Sequence, residues 1–291
     1  MTAGSDTRLV LLTGDGPEHR YVANRLSHAL PVQAVVVDQR VRQPSLRRAF
    51  RGGIWPGVAR LALFAYRKAA RDARARELGL RNVLGEELTG KLVASDRVIR
   101  VDGINSSGAV AAVAALQPDA ILVFGTSIVG AEMLGLARDL AFNLHTGISP
   151  RYRGTDCAFW PVVNREPEWL GATVHRCTAD VDGGQTYGLV RADWEPDDGI
   201  HELFARSVAA GADLYVEAVR RYLADGEIAG RPQDLSTGRE YRGYMRTLGP
   251  ELRARWALRR GLLRRPPAAD SGLAAPRSAR RAASPDGQGP V

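Results

Sequence analysis

The segment that decides the fold is RLVLLTGDGPEHRYVANRLSHALPVQAVVV, residues 8–37. Its first six residues, 8–13, form a short apolar run that ends in a glycine-containing turn, which is typical of a buried strand. Residues 18–30 then space apolar side chains four apart, as a helix does. Residues 32–37 are a second, β-branched apolar run. Strand, helix and strand within about thirty residues predict a βαβ unit, and therefore a parallel sheet.

The same alternation resumes later in the chain. Apolar runs predict further strands at residues 98–101, 120–124, 140–143, 169–174 and 185–190. Helical spacing predicts helices at residues 108–116 and 198–223. We therefore expect an α/β catalytic domain over residues 1–250.

Residues 43–80 interrupt this rhythm. A helix is predicted to begin near Pro56, and it would carry apolar and basic residues on different faces. The apolar face would hold Val58, Leu61, Ala65 and Ala69, and the basic face Arg60, Arg67, Arg71 and Arg74. We expect a helical insertion at about residues 42–80 whose basic side faces solvent. Binding of that side to an acidic partner or a membrane surface is the alternative.

The positive charge is concentrated in two segments. Residues 42–76 carry ten basic residues against one acid, and residues 251–291 carry nine against three. Since the chain has a net charge of +8, the remainder carries about −7. The predicted catalytic body is acidic, so we do not expect a nucleic-acid substrate. Residues 251–291 are rich in Pro, Ala, Ser and Arg from Pro266 onward, and we expect a basic, largely disordered tail.

Other classes of protein are disfavoured by simple features. No stretch approaches eighteen consecutive apolar residues, so no membrane-spanning helix is expected. The first residues lack a basic flank followed by a long apolar run, so no secretory signal is expected. Only two cysteines, Cys157 and Cys177, are present, which excludes a disulfide scaffold and makes the cytoplasm the expected location.

The chemistry is concentrated in two segments, FNLHTGISPRYRG at residues 142–154 and TVHRCTADVDGGQ at residues 173–185. Asn143 and His145 are two apart at the end of a predicted strand, so their side chains are expected on the same side. Asp182 follows in a glycine-flanked loop that could return to the same rim.

An amide, an imidazole and a carboxylate suit acyl transfer to an amine. Asn143 could donate a hydrogen bond to the oxyanion of a tetrahedral intermediate, and a protonated His145 could add positive charge beside it. Asp182 could accept the proton of the attacking amine, directly or through water, and orient His145. This chemistry requires no metal.

These segments resemble the folate-dependent formyltransferase family. That family is marked by Asn-x-His, a Ser-x-x-Pro-like stretch with a nearby Arg-Gly, and a later Thr-x-His that leads into an Asp-x-Gly loop. The corresponding residues here are Asn143-Leu-His145, Ser149-Pro150, Arg153-Gly154, Thr173-Val-His175 and Asp182-Gly-Gly184. The resemblance covers about residues 98–224. It implies a Rossmann-like, mostly parallel sheet with flanking helices, 10-formyltetrahydrofolate as donor, and catalytic places for Asn143, His145 and Asp182.

The resemblance also implies where the donor and the acceptor bind. In the family the pterin lies against two backbone segments, which correspond here to Phe124, Gly125, Thr126, Ser127 and Ile128, and to Cys177, Thr178, Ala179, Asp180 and Val181. The acceptor side corresponds to Thr146, Gly147 and Arg153.

Three departures from the family pattern restrict the identity of the acceptor. The family often has His-Pro-Ser where this chain has His145-Thr146-Gly147, and the turn at residues 14–19 differs from the Gly-Ser-Asn type that cradles the phosphate of glycinamide ribonucleotide. The carboxyl-terminal part is too short and irregular for the barrel with which methionyl-tRNA formyltransferases hold tRNA. We therefore expect a small-molecule amine, such as a nucleotide-linked amino sugar or a natural-product amine.

Several residues have a plainer interpretation. His175 is expected to be structural, and Cys157, Cys177, Trp160 and Tyr187 to fill the core, while Arg151, Arg153 and Asp156 could contact an acceptor or form a solvated loop. His201-Glu202 lacks the second histidine of a zinc protease motif, so no metal is expected. A 10-formyltetrahydrofolate hydrolase, whose known members carry an additional regulatory domain, and an inactive basic binding protein are the alternative functions. Whether the chain forms a homodimer is left open.

Overall fold

The structure is a computed structural model that describes residues 7–40, 53–92, 95–178 and 181–264. Its strands are β1 (Leu9–Thr13), β2 (Val32–Asp38), β3 (Val98–Val101), β4 (Ala120–Phe124), β5 (Leu140–His145), β6 (Tyr152–Gly154), β7 (Gly171–Arg176), β8 (Thr186–Arg191) and β9 (Arg239–Tyr241). Its helices are α1 (Pro17–Ala29), α2 (Ile54–Ala69), α3 (Asp72–Leu84), α4 (Glu86–Gly90), α5 (Ser107–Leu116), α6 (Ala131–Leu134), α7 (Trp160–Asn164), α8 (Ile200–Asp225) and α9 (Leu248–Arg259).

The main sheet has the strand order β3-β2-β1-β4-β5-β7-β8. Along this order, neighbouring strands from β3 through β2, β1 and β4 to β5 pair in parallel. The β5–β7 and β7–β8 pairs are antiparallel. The order runs outward from β1 to β2 and β3 on one side and to β4 and β5 on the other. This arrangement confirms the predicted Rossmann-like, mostly parallel sheet.

Helices cover both faces of the sheet, which explains why the central strands are continuous apolar runs. Every residue of β1 and β4 is buried. One core cluster joins the sheet to α1 and α8, and another joins its opposite face to α5. Within the described residues, no helix is both long enough and apolar enough to cross a membrane.

The insertion differs from its prediction in two ways. The single helix expected from Pro56 is broken into α2 and α3, because Arg71 adopts a left-handed conformation at the join. In α2 the predicted apolar face points outward, with Val58 and Leu61 exposed, whereas Arg67 reaches inward to Glu251. The expectation that the basic side faces solvent is therefore wrong for α2. Residues 42–52 of the predicted insertion lie outside the described residues.

The predicted boundary at residue 250 is also wrong, because it falls inside α9. Ala254 and Leu263 are buried in a third cluster with Phe159, Trp160 and Tyr241. The apolar side chains that follow residue 250 are few, but they are sufficient to hold one helix on the domain. Residues 265–291 of the predicted tail lie outside the described residues.

Candidate active site

A cavity of about 570 Å³ opens at the carboxyl ends of β4 and β5. Open α/β sheets bind ligands at this edge, where neighbouring parallel strands lead into separate loops. Asn143, His175 and Asp182 line the cavity, together with residues 125–129 and with Cys177, Thr178 and Val181.

Asp182 lies at the centre of the polar cluster. Its Oδ2 accepts a hydrogen bond from the Gly154 backbone N–H at 2.7 Å and lies 3.3 Å from Nδ1 of His145. Its Oδ1 lies 3.4 Å from Nε2 of His175. One carboxylate therefore contacts two imidazoles and a backbone donor.

His175 is held as a specific tautomer by its neighbours. Its Nδ1 lies 2.8 Å from the Arg176 carbonyl oxygen, so this nitrogen carries the proton and donates. Its Nε2 lies 3.0 Å from the Asn143 amide Nδ2 and accepts from it when the ring is neutral, whereas a protonated ring donates from Nε2 to Oδ1 of Asp182. This leaves one further N–H on the Asn143 amide, at a position that lines the cavity.

His145 lies behind Asp182, and it is not among the residues that line the cavity. Its side chain is buried, and its Nε2–H donates to the Tyr152 carbonyl oxygen at 3.0 Å. Its Nδ1 faces Asp182. Asn143 and His145 do project toward one cluster, as their spacing predicted, but only Asn143 reaches the cavity directly.

The ionisation of the cluster follows from burial and charge. Burial alone would raise the pKa of Asp182, but His145, His175 and the Gly154 N–H outweigh it and hold this pKa far below its usual range. Burial lowers the pKa of His145 and prevails over the opposing effect of Asp182. Asp182 is therefore ionised at neutral pH, and its carboxylate faces Nδ1 of His145.

The strands fix these side chains by their register. β5 and β7 are antiparallel, and Asn143 pairs with His175 and His145 with Thr173. The Thr173 hydroxyl donates to the Gly147 carbonyl oxygen and accepts from the Ser149 N–H, which holds the loop after β5 against β7. In the Thr-x-His pattern, Thr173 therefore holds the loop after β5, and His175 joins the cluster around Asp182.

Most of the predicted donor-binding residues line the cavity. These are Gly125, Thr126, Ser127, Ile128, Cys177, Thr178 and Val181. Phe124 does not, because its ring is buried in the core beside the ring of His19. Ala179 and Asp180 lie outside the described residues.

The predicted acceptor residues are dispersed. Thr146 lines a separate cavity of about 240 Å³ with Arg67, Arg76 and Arg246. Gly147 packs so closely on His145 and Cys157 that a Cβ there would overlap both.

The arginines and the aspartate of the loop after β5 have partners within the protein. Arg153 donates to the Val181 carbonyl oxygen at 3.3 Å. Arg151 pairs with Glu166 at 2.7 Å. Asp156 pairs with Arg246 and lines both cavities.

Two groups in the cavity were not predicted. His175 was expected to be structural, yet it contacts both Asn143 and Asp182. The segment 240–242, which follows the long helix, lines the same cavity. The Thr-x-His pattern was the available signal for His175, whereas nothing in residues 240–242 indicates a loop that returns to this edge.

The remaining polar and apolar candidates agree with their plainer interpretation. Trp160 and Tyr187 are buried in the core. Burial raises the pKa of both thiols, that of Cys177 to about 11. The described residues contain no group of three or more His, Cys, Asp or Glu side chains placed to hold a metal ion.

The amino-terminal turn is closed by the chain itself. The Gly16 N–H donates to Nδ1 of His19 at 3.0 Å, and Nε2 of His19 lies 3.1 Å from the Gly125 carbonyl oxygen. The imidazole therefore occupies the amino-terminal end of α1, where a phosphate would otherwise find free N–H groups.

The chain is similar to known proteins in sequence and in fold. Residues 80–219 match the model of the formyl transferase family. Over 137 residues, 47% of the chain, the sequence is 35% identical to a methionyl-tRNA formyltransferase from Chlorobium chlorochromatii (strain CaD3), and the match spans 43% of that relative's length.

The fold is similar to two solved structures with little sequence identity. A sugar N-formyltransferase from Shewanella sp FDAARGOS_354 superposes with a TM-score of 0.53 at 12% identity, covering 86% of this chain and 87% of that one. A 4-N formyltransferase from Francisella tularensis superposes with a TM-score of 0.53 at 12% identity, covering 84% and 78%. Residues 80–219, slightly less than half of the chain, are therefore similar in sequence to the formyl transferase family.

Proposed function

We propose that this protein transfers a formyl group from 10-formyltetrahydrofolate to a primary amine of a small molecule. The observation that carries the proposal is the cluster of Asn143, His175 and Asp182 on the wall of the cavity, with His145 behind the carboxylate. The cluster combines a donor for a developing oxyanion with a base for the amine proton, which are the two needs of formyl transfer.

The shape of the cavity suits a flat donor. One segment, residues 125–129, lines the cavity, and a second lines it through Cys177, Thr178 and Val181. A further groove of about 440 Å³ shares Ile128, Val129 and Cys177 with the cavity and reaches Arg176. We place the pterin between the two segments and the aryl and glutamate portions along this groove, where an arginine would attract carboxylates.

Asn143 would stabilise the negative charge that develops on the formyl oxygen. One N–H of its amide is bonded to His175, which fixes the plane of the amide. The second N–H would then donate to the oxygen as its charge grows. A fixed donor at this point requires little reorganisation during the reaction, and it favours the transition state over the bound donor.

Asp182 would collect the proton of the attacking amine. Because its pKa is held far below the usual range, the carboxylate is ionised at neutral pH. His145 offers Nδ1 at 3.3 Å, and its Nε2–H is already bonded to Tyr152. A proton passed from Asp182 to Nδ1 would therefore give an imidazolium with an acceptor at each nitrogen, which places positive charge near the reacting carbon.

We propose an amino sugar, free or nucleotide-linked, as the acceptor. The structure from Shewanella that shares the fold is named as a sugar N-formyltransferase. His19 closes the amino-terminal turn, which argues against a phosphate bound there in the manner expected for glycinamide ribonucleotide.

The test is the release of tetrahydrofolate from 10-formyltetrahydrofolate in the presence of a panel of amines that includes free and nucleotide-linked amino sugars. We expect release that depends on the amine, and loss of that release in His145→Ala. His28→Ala is the matched control, because His28 is exposed on α1. Release without any amine would indicate the hydrolase instead. No release and no donor binding would refute the proposal.

A further inference from the structure

Helix α2 is oriented with its apolar side toward solvent. Trp55 is 83% exposed and Phe64 is 62% exposed on the two flanks of the helix, and Ile54, Val58 and Leu61 are exposed on the arc between them. The opposite side packs on the domain through Leu63, which is buried, and through Arg67, whose Nη2 lies 3.1 Å from Oε2 of Glu251. The remaining apolar side chains of α2 therefore face away from the core of this domain.

Helix α9 packs against α2 and also exposes apolar side chains. Leu252 and Trp256 of α9 are about half exposed. The Trp256 ring lies between two guanidinium groups, with Arg165 at 4.9 Å and Arg260 at 5.1 Å from the ring centroid. We call the exposed side chains of the two helices the apolar face; they are Ile54, Trp55, Val58, Leu61, Phe64, Leu252 and Trp256.

The charges around the apolar face have one sign. Residues 53–71 contain four basic residues and no acid, and residues 248–264 contain five against one, so each segment carries +4. Their sum equals the net charge of the whole chain, +8. Exposed cations on these segments include Lys68, Arg253 and Arg259.

The acids of this region are turned inward. Glu251 is fully buried and contacts Arg67, Arg246 and Arg255. Asp72 is buried and lies 3.0 Å from His201 and 2.6 Å from Arg255. The negative charges therefore stabilise the docking of α2 and α9 on the domain, and they do not neutralise the outer surface.

We propose that the apolar face binds the surface of an anionic lipid bilayer. Tryptophan, phenylalanine and aliphatic side chains on one side of a helix, with arginine and lysine around them, are the features of helices that lie in the membrane interface. Each cation near an anionic membrane adds to the attraction. This peripheral attachment is independent of the proposed formyl transfer.

Charge and polarity favour the bilayer over other occupants. Two copies of this chain would bring two positively charged segments together at a face-to-face dimer, which is unfavourable. Nucleic acid would satisfy the cations, but its backbone would leave the exposed tryptophans and Phe64 against a polar surface. A bilayer provides partners for the cations and for the aromatic side chains, because anionic headgroups lie directly above acyl chains.

The experiment measures co-sedimentation of the full chain with large vesicles of phosphatidylcholine alone or mixed with phosphatidylglycerol. We expect strong binding to the mixed vesicles only, weakened by salt. The double variant Trp55→Glu and Phe64→Glu should reduce binding at least tenfold. Leu78→Glu is the matched control, because Leu78 is an exposed apolar residue on α3, outside the apolar face, and should bind as the wild type does.

Other outcomes would overturn the proposal. Wild type that does not sediment with the mixed vesicles would do so, as would a Leu78→Glu variant that loses binding equally. A wild-type dimer that the double variant converts to a monomer in light scattering, with no vesicle binding, would assign the face to a second copy. Brominated phosphatidylglycerol provides a test that needs no acidic variant: it should quench the tryptophan fluorescence of the wild type, and less so that of Trp55→Phe.

Discussion

Removing the hydroxyl of Tyr215 should destabilise the protein by about 2 kcal/mol. Tyr215 is fully buried on α8, and its hydroxyl oxygen accepts the Val123 N–H at 2.9 Å and lies 3.2 Å from the Phe142 carbonyl oxygen. Tyr215→Phe would leave a donor and an acceptor in the centre of the sheet without this partner. Each such loss costs about 1–3 kcal/mol when the group is buried.

The measurement is urea unfolding at neutral pH, with thermal unfolding alongside it. A loss of about 2 kcal/mol corresponds to a decrease in melting temperature of about 4–8 °C for a domain of this size. Tyr187→Phe is the control: the Tyr187 ring also packs on Phe142, at 5.1 Å between centroids, but its hydroxyl has no hydrogen bond within the described residues. Equal effects of the two variants would refute the reasoning, as would a change below about 0.5 kcal/mol for Tyr215→Phe.

Three further predictions follow from the site and its supports. The hydrogen bond to His201 and the nearby arginines lower the pKa of Asp72 to about 2. The ionised carboxylate therefore stabilises the fold above about pH 4, and this stabilisation is lost as the pH falls toward 2. Asp72→Asn should therefore be less stable than wild type by about 1 kcal/mol at pH 7, after allowance for solvent screening, and the difference in urea unfolding should shrink between pH 4 and pH 2; a difference independent of pH would contradict this. Gly154→Ala should decrease turnover at least tenfold, because φ is +92° and the new Cβ would overlap the Tyr241 carbonyl oxygen, displacing the N–H that holds Asp182; wild-type turnover would show that the loop tolerates the change. Cys177, with a thiol pKa of about 11, should react with a disulfide reagent at pH 8 about a hundredfold more slowly than an ordinary thiol, and equal rates would contradict the burial effect.

The fold was largely predictable because its central strands follow a simple rule. Strands buried on both faces are continuous apolar runs, and residues 9–13 and 120–124 are of this kind. The predicted and observed limits of these strands differ by no more than one residue. In the structure, β5 extends two residues beyond its predicted end. Leu144 is apolar and His145 is polar, and both continue the pairing with β7.

The insertion was predicted less well, for a physical reason. A helical pattern identifies an apolar face, but it does not say which face meets the domain. In α2 the inner side is set by the partners of Arg67, which lie at Asp72 and at Glu251, almost two hundred residues apart. Charge pairing across that distance cannot be derived from local periodicity, and neither can the left-handed conformation at Arg71.

The site was predicted in its composition and only partly in its arrangement. The spacing of Asn143 and His145 indicated a common direction, and both lie in the cluster around Asp182. That His145 lies behind Asp182, while His175 reaches the cavity, depends on the antiparallel pairing of β5 with β7. The apolar spacing of β7 gave no indication of its partner strand or of its direction.

The most direct test of formyl transfer at this site is the single-turnover rate with isotopically labelled 10-formyltetrahydrofolate and the responding amine, for wild type and Asp182→Asn. The substitution keeps the size of the side chain and removes its charge. We expect a rate about 10²–10⁴ times lower, with unchanged donor affinity, because a general acid–base group contributes that factor. A rate within about threefold of wild type would contradict the central claim that Asp182 takes the amine proton.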